Sequence, residues 1–154
     1  MESQIADGRI HNSVNLINGP NHEVWITEES SSLFSGSTNN GAGGGAQIAR
    51  VDAAGNVTGQ IDLPPAMSVP VISAIDAAGF VWVSNFPKTG ALAANAPDFV
   101  EIDAGGHVCR SSGGLAAGAP VWVVPRGGVL YFTAQGAADG LDHPTVSVIG
   151  KLTG

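Results

Sequence analysis

The chain predicts an all-β fold assembled from repeated four-stranded antiparallel units, and three observations carry that prediction. First, the tetrapeptide Asp52-Ala53-Ala54-Gly55 recurs as Asp76-Ala77-Ala78-Gly79, with Asp103-Ala104-Gly105-Gly106 as a variant third copy. Each copy lies between β-branched or aromatic runs: 48–51 and 56–61, 71–75 and 80–84, 99–102 and 107–108. A short Asp…Gly segment in that setting is a hairpin, in which Asp caps its own turn and Gly takes the left-handed conformation. Second, an apolar, aromatic, apolar, hydroxyl segment occurs three times, as Val24-Trp25-Ile26-Thr27, Val81-Trp82-Val83-Ser84 and Leu130-Tyr131-Phe132-Thr133. Third, the 154 residues include 22 glycines, only 12% are charged, and no window keeps a 3.6-residue apolar period. Those aromatics stand 57 and then 49 residues apart, a repeat period that fits one four-stranded unit with loops of varying length.

The elements follow in order. Unit one predicts a strand at 11–17, the turn Asn18-Gly19-Pro20-Asn21, the Trp25 strand, a long loop over 28–46, a strand at 47–51, the Asp52 turn and a strand at 56–62. Unit two predicts strands at 69–75, 81–84, 98–102 and 107–111, the second and third separated by a long loop over 85–97. Unit three predicts a strand at 120–124, the turn Pro125-Arg126-Gly127-Gly128, the Tyr131 strand, a loop over 134–144 and a strand at 145–149. Strand, tight turn, strand, long loop, strand, tight turn, strand is the order of a β-propeller blade. After Ile149 too few residues remain for a fourth strand, whereas residues 2–5 precede an Ala6-Asp7-Gly8 turn with no strand of their own unit to pair with. Residues 1–154 therefore read as one domain of three blades, the outer strand of the last displaced to the N-terminus.

Charge and composition remove several function classes. Six basic residues against thirteen acidic give a net charge of −7, and no basic run exceeds one residue. Nucleic acid and anionic membrane surfaces would be repelled. Cys109 is the sole cysteine, so an intrachain disulfide is ruled out, and its simplest reading is a small hydrophobe in a strand. Met1-Glu2-Ser3-Gln4 does not resemble a secretory leader, and no apolar stretch reaches the roughly 18 residues needed to span a bilayer. The expectation is a soluble cytoplasmic protein, and a trimmed secreted one would read the same way. Residues 35–45 are rich in Gly and Ser and predict a mobile loop; Gly43-Gly44-Gly45 lacks the Lys-Ser/Thr pair of a phosphate cradle.

The first unit, through Trp25-Ile26-Thr27-Glu28, then Ile48-Ala49-Arg50-Val51-Asp52-Ala53-Ala54-Gly55-Asn56-Val57 and Leu63-Pro64, resembles the streptogramin (virginiamycin B) lyase-like propellers. It is similar, more loosely, to NHL-type repeats. Unit two keeps the Asp-Ala-Ala-Gly turn and the Trp82 strand but carries Phe99-Val100-Glu101-Ile102 where the family has an arginine strand; unit three is degenerate. The resemblance implies propeller blades. Lyases of that family are full rings that open a cyclic depsipeptide with a metal ion and His and Glu residues in late blades, and no catalytic segment of theirs maps onto this chain.

Long loops converging over a rigid scaffold are where binding sits. Glu28, Asn85 and Gln135 leave the second strands toward the expected axis, with Glu29, Lys88, Asp139, Asp142 and His143 further out. Glu28, Asn85, Gln135 and His143 are the candidate ligand-binding residues. Glu28 matches the family's strand-end glutamate, and a loop-capping carboxylate is its simpler reading. Asp139-Gly140-Leu141-Asp142-His143 offers hard ligands but lacks the further carboxylates of a calcium loop, and an ordinary polar loop is the simpler reading. His22 and His107 fall at tight turns and read as solvated, while His11 starts an innermost strand. Trp25, Trp82 and Tyr131 read as packing between blades. No nucleophile elbow or His-Glu-x-x-His pattern is present, so no catalytic or metal residue is assigned. No cofactor is required; magnesium and calcium are chemically allowed and demanded by nothing.

Two function classes follow. One is a binding module with a small molecule or peptide on the loop face near the axis. The other is a metal-assisted lyase or hydrolase related to the lyase-like propellers, with Glu28 as ligand or base. The expected partner is a second copy: two three-bladed chains close a six-bladed homodimeric ring, residues 2–5 of one supplying the missing strand of the other.

Overall fold

A computed structural model describes residues 10, 13–28, 46–67, 69–86, 96–113, 119–135 and 147–153. Three aspartates close three hairpins with the same bonds. Oδ1 of Asp52 accepts the N–H groups of Ala54 at 2.9 Å and Asn56 at 2.8 Å. Asp76 does so with Ala78 and Phe80, at 2.9 and 3.0 Å, and Asp103 with Gly105 and His107, at 2.8 and 2.9 Å. Gly55, Gly79 and Gly106 then turn the chain at φ +86°, +88° and +93°, a region that costs a side-chain-bearing residue ~1–2 kcal/mol. The hairpin after Arg126 uses a different solution: Gly127 and Gly128 at φ +60° and +74° make the two-residue mirror-image turn that suits twisted strands.

These turns join eleven described strands into three antiparallel sheets, with no α-helix among the described residues. Sheet one runs β1 (Ser13–Asn18), β2 (Val24–Glu28), β3 (Gln47–Val51), β4 (Val57–Asp62), each strand beside the next in chain order. Sheet two repeats the order with β5 (Pro70–Ile75), β6 (Val81–Asn85), β7 (Pro97–Ile102) and β8 (Val108–Gly113). Sheet three contains β9 (Ala119–Arg126), β10 (Val129–Gln135) and β11 (Ser147–Thr153). The last strand differs from the expected 145–149. It continues to Thr153 because Gly150, Lys151, Leu152 and Thr153 pair with Phe132, Tyr131, Leu130 and Val129. The Gly/Ser segment 35–45 and the expected exchange strand 2–5 lie outside the described residues.

Alternating side chains stack the sheets in sequence. Trp25 and Ile48 of sheet one share a buried cluster with Val81, Val83, Val100 and Ile102 of sheet two. The opposite face of sheet two puts Phe99 against Val123, Leu130 and Phe132 of sheet three, with the Phe99 and Phe132 rings edge-on at 5.2 Å. Sheet two is thus covered on both faces, and all six residues of β7 are buried. In β10, by contrast, Leu130, Phe132 and Ala134 are buried while Tyr131 and Thr133 between them are exposed. Among the described residues, sheet three is covered on one face only. The first strands are neighbours across sheets, β5 lying against β1 and β9 against β5.

Candidate functional site

Glu28, Asn85 and Gln135 each end the second strand of their sheet, the first two three residues past Trp25 and Trp82 and Gln135 four past Tyr131. Register places Glu28 opposite Ser13 and Gln47, Asn85 opposite Pro70, and Gln135 opposite Ala119 and Ser147. Glu28 and Asn85 are buried, at 1% and 0% exposure. Asn85 Nδ2 donates to Pro97 O at 3.0 Å and to Ala66 O at 3.3 Å, tying β6 to the start of β7 and to the Pro64–Met67 connection between sheets. That gives Asn85 a structural task at the base of the loop. His143, with Glu29, Lys88, Asp139, Asp142 and His11, lies outside the described residues. His22 and His107 are exposed at turns, His107 Nδ1 standing 3.0 Å from Asp103 Oδ2. Cys109 is exposed on β8, not packed as a small hydrophobe.

The turn side of the sheets carries the densest polar chemistry. Trp25 lies directly opposite Arg50 in register, and the guanidinium sits 5.7 Å from the ring centroid. Glu23, 12% exposed, accepts Arg50 Nε at 2.8 Å, Thr58 Oγ1 at 2.9 Å and Trp25 Nε1 at 3.2 Å. Burial pushes the Glu23 carboxyl up, but the bonds from Arg50, Thr58 and Trp25 outweigh it and hold the group below its ordinary value. Sheet two builds the same stack from other positions. Trp82 lies opposite Glu101, and Arg110 reaches over from β8 to within 5.8 Å of the Trp82 centroid. Arg110 donates twice to Glu101, which raises the pKa of the guanidinium, and Trp82 Nε1 donates to Asp76 Oδ2 at 3.1 Å.

The two seams differ. Between sheets one and two, Arg50 Nη1 donates to Gly105 O at 3.2 Å and Asn21 Nδ2 to Ala104 O at 3.4 Å, so the Asp103 turn fills the seam. Between sheets two and three there is a cavity of about 280 Å³, bounded by Asp76, Trp82 and Arg110 on one side and by Pro125, Arg126 and Leu130 on the other. None of these was a candidate from the sequence. The Glu101–Arg110 pair was not legible either, since counting outward from the Asp103 turn sets Glu101 opposite Cys109, and a bulge between Glu101 and Ile102 moves its partner to Arg110. The cavity depends on how two sheets meet, which no local pattern encodes.

Among the described residues no group of three His, Cys, Asp or Glu side chains is placed to hold a metal ion. No helix among them is long and apolar enough to cross a membrane. Searches of known protein families, curated proteins and solved structures found no match to this chain.

Proposed function

We propose that the three sheets are consecutive blades of a β-propeller, that two chains close a six-bladed ring, and that the ring is a binding module. Its ligand, a small molecule or peptide, would sit on the loop face near the axis, where Glu28, Asn85 and Gln135 end their strands and His143 follows in sequence. The observation that carries this reading is the position of the three second-strand aromatics. Trp25 is buried against sheet two, and Trp82 packs against the core shared with sheet three. Tyr131 holds the same place in sheet three and is 41% exposed, on the face where Trp122 and Val124 are 57% and 61% exposed.

An apolar sheet face of that kind favours a partner. Sheet one offers the complement: on β1 Val14 and Leu16 are exposed, and on β2 Val24 and Ile26 are half-buried, although Ala49 and Val51 beside them are already buried. Two-fold association covers both open faces at once. In such a ring β1, β5 and β9 would be the innermost strands, which agrees with their adjacency. Residues 2–5 of the neighbouring copy would pair along β11.

The binding part is tested by a thermal-shift and NMR screen of small molecules and short peptides on the full chain and on Glu28→Gln. The reading expects ligands whose affinity falls at least ~10-fold, or about 1.4 kcal/mol, in Glu28→Gln. A ligand set indifferent to that change would contradict a loop-face site.

A further inference from the structure

The turn-side cavity between sheets two and three lies away from the strand ends assigned to the loop-face site. In the neighbouring seam, a cation resting on an indole reaches an acceptor oxygen, Arg50 Nη1 to Gly105 O at 3.2 Å over Trp25. In this seam Arg110 rests on Trp82 in the same way, with its Nε and Nη2 held by Glu101 and its remaining nitrogen, Nη1, making no hydrogen bond among the described residues. Where the first seam receives a turn, this one is left open by the described residues.

The walls state what the opening accepts. Ala77, Ala78, Pro125, Val129 and Leu130 present apolar surface, and the Trp82 indole adds a flat one. Asp76 is held in its own turn, Oδ1 by two N–H groups and Oδ2 by the Trp82 indole, and Glu101 answers Arg110. Arg126, exposed at the rim beside the Gly127-Gly128 turn, makes no ion pair or side-chain hydrogen bond among the described residues. Of the two cations lining the cavity, it is the one whose charge they leave unanswered. At about 280 Å³ the space falls just below the ~300–1,000 Å³ typical of drug-sized ligands, which suits a smaller molecule.

We infer that this cavity is a binding site for a small carboxylate with an aromatic or short aliphatic body. The body lies against Trp82, Pro125 and Leu130, and the carboxylate takes Arg126 with the outer nitrogen of Arg110, the oxygen position that Gly105 fills in the first seam. The site is lined by two sheets of one chain, so it does not require two chains to close a ring.

The test uses benzoate and its neutral isostere benzamide, titrated into the isotopically labelled full chain by NMR. Benzoate is expected to shift the Trp82 indole N–H and the Gly127 and Gly128 amides, with a Kd near a millimolar, in reach of a ligand of about nine heavy atoms. Arg126→Ala, on an exposed hairpin, should weaken it about 10-fold and Arg126→Lys should recover part of the loss. Equal binding of benzamide, an unchanged Kd in Arg126→Ala, or shifts confined to the strand ends at Glu28 and Asn85 would each overturn the inference.

Discussion

Arg50 and Gly105 are joined across two sheets: the guanidinium on β3 donates from Nη1 to the carbonyl of the β7–β8 turn at 3.2 Å. The same side chain binds Glu23 through Nε at 2.8 Å and rests on the Trp25 ring. One residue therefore orders its own sheet and fixes the next against it, over an apolar seam that by itself carries no direction. Gly106 matters here for space as well as torsion, because a Cβ on it would lie 3.1 Å from Ile61.

Arg50→Met tests that clamp. It keeps most of the stem over Trp25 but leaves Glu23, 12% exposed, without its cation. We expect a loss of about 2 kcal/mol, the scale of hydrogen bonds to charged groups, read as a lower urea midpoint at unchanged slope. Arg50→Lys should recover little, since an ammonium cannot reproduce the planar fork. A midpoint within error of the parent for Arg50→Met would show that the clamp is ornamental.

Two glycines separate crowding from backbone strain. Gly19 has an ordinary φ of −81°, yet a Cβ there would lie 2.2 Å from the Trp25 indole. Gly79 has φ +88°, and a Cβ added to it would meet nothing within 4 Å. Gly79→Ala should cost ~1–2 kcal/mol through torsion alone. Gly19→Ala must displace a buried Trp and should cost about 3 kcal/mol, the upper end for overpacking. Thermal melts of the two variants check the order, and a milder effect at Gly19 would mean that Trp25 relocates freely.

Acid should destabilise the protein. Asp52 is held below its ordinary value by the Asn56 N–H and side-chain amide, Asp103 by the His107 N–H and imidazole, and Glu23 by the bonds that outweigh its burial. A folded pKa below the unfolded one means that the folded state binds fewer protons. The stabilisation is then complete above the unfolded carboxylate range, about pH 4, and is lost as pH falls through the folded values. Urea midpoints should be level down to about pH 5 and drop below about pH 4. Asp52→Asn should show a shallower drop, and an identical profile would remove Asp52 from the account.

What the sequence made legible is local. The Asp52, Asp76 and Asp103 turns were readable because each Asp bonds within four residues of itself, and those hairpins set the first pairs of β3 with β4, β5 with β6 and β7 with β8, beyond which a bulge shifts the register. The matching places of Glu28 and Asn85, each three residues past its tryptophan, followed from the aligned aromatics, whereas Gln135 lies four past Tyr131. The burial of Asn85 was not legible, because its partners, Pro97 O and Ala66 O, belong to a strand start and an inter-sheet connection. The extension of β11 to Thr153 was missed for a related reason: Gly150 and Lys151 have no strand preference, and pairing with β10 decides them. Tyr131 looked like its two tryptophan counterparts, yet its exposure depends on which sheet comes next.

That exposed Tyr131 face is the centre of the account. Light scattering on the full chain measures it directly, with Tyr131→Asp as the paired variant. The account predicts two chain masses for the parent, falling to one in Tyr131→Asp as a charge enters the face shared with Trp122 and Val124. A single chain mass for the parent at micromolar concentration and above would contradict closure by a second copy.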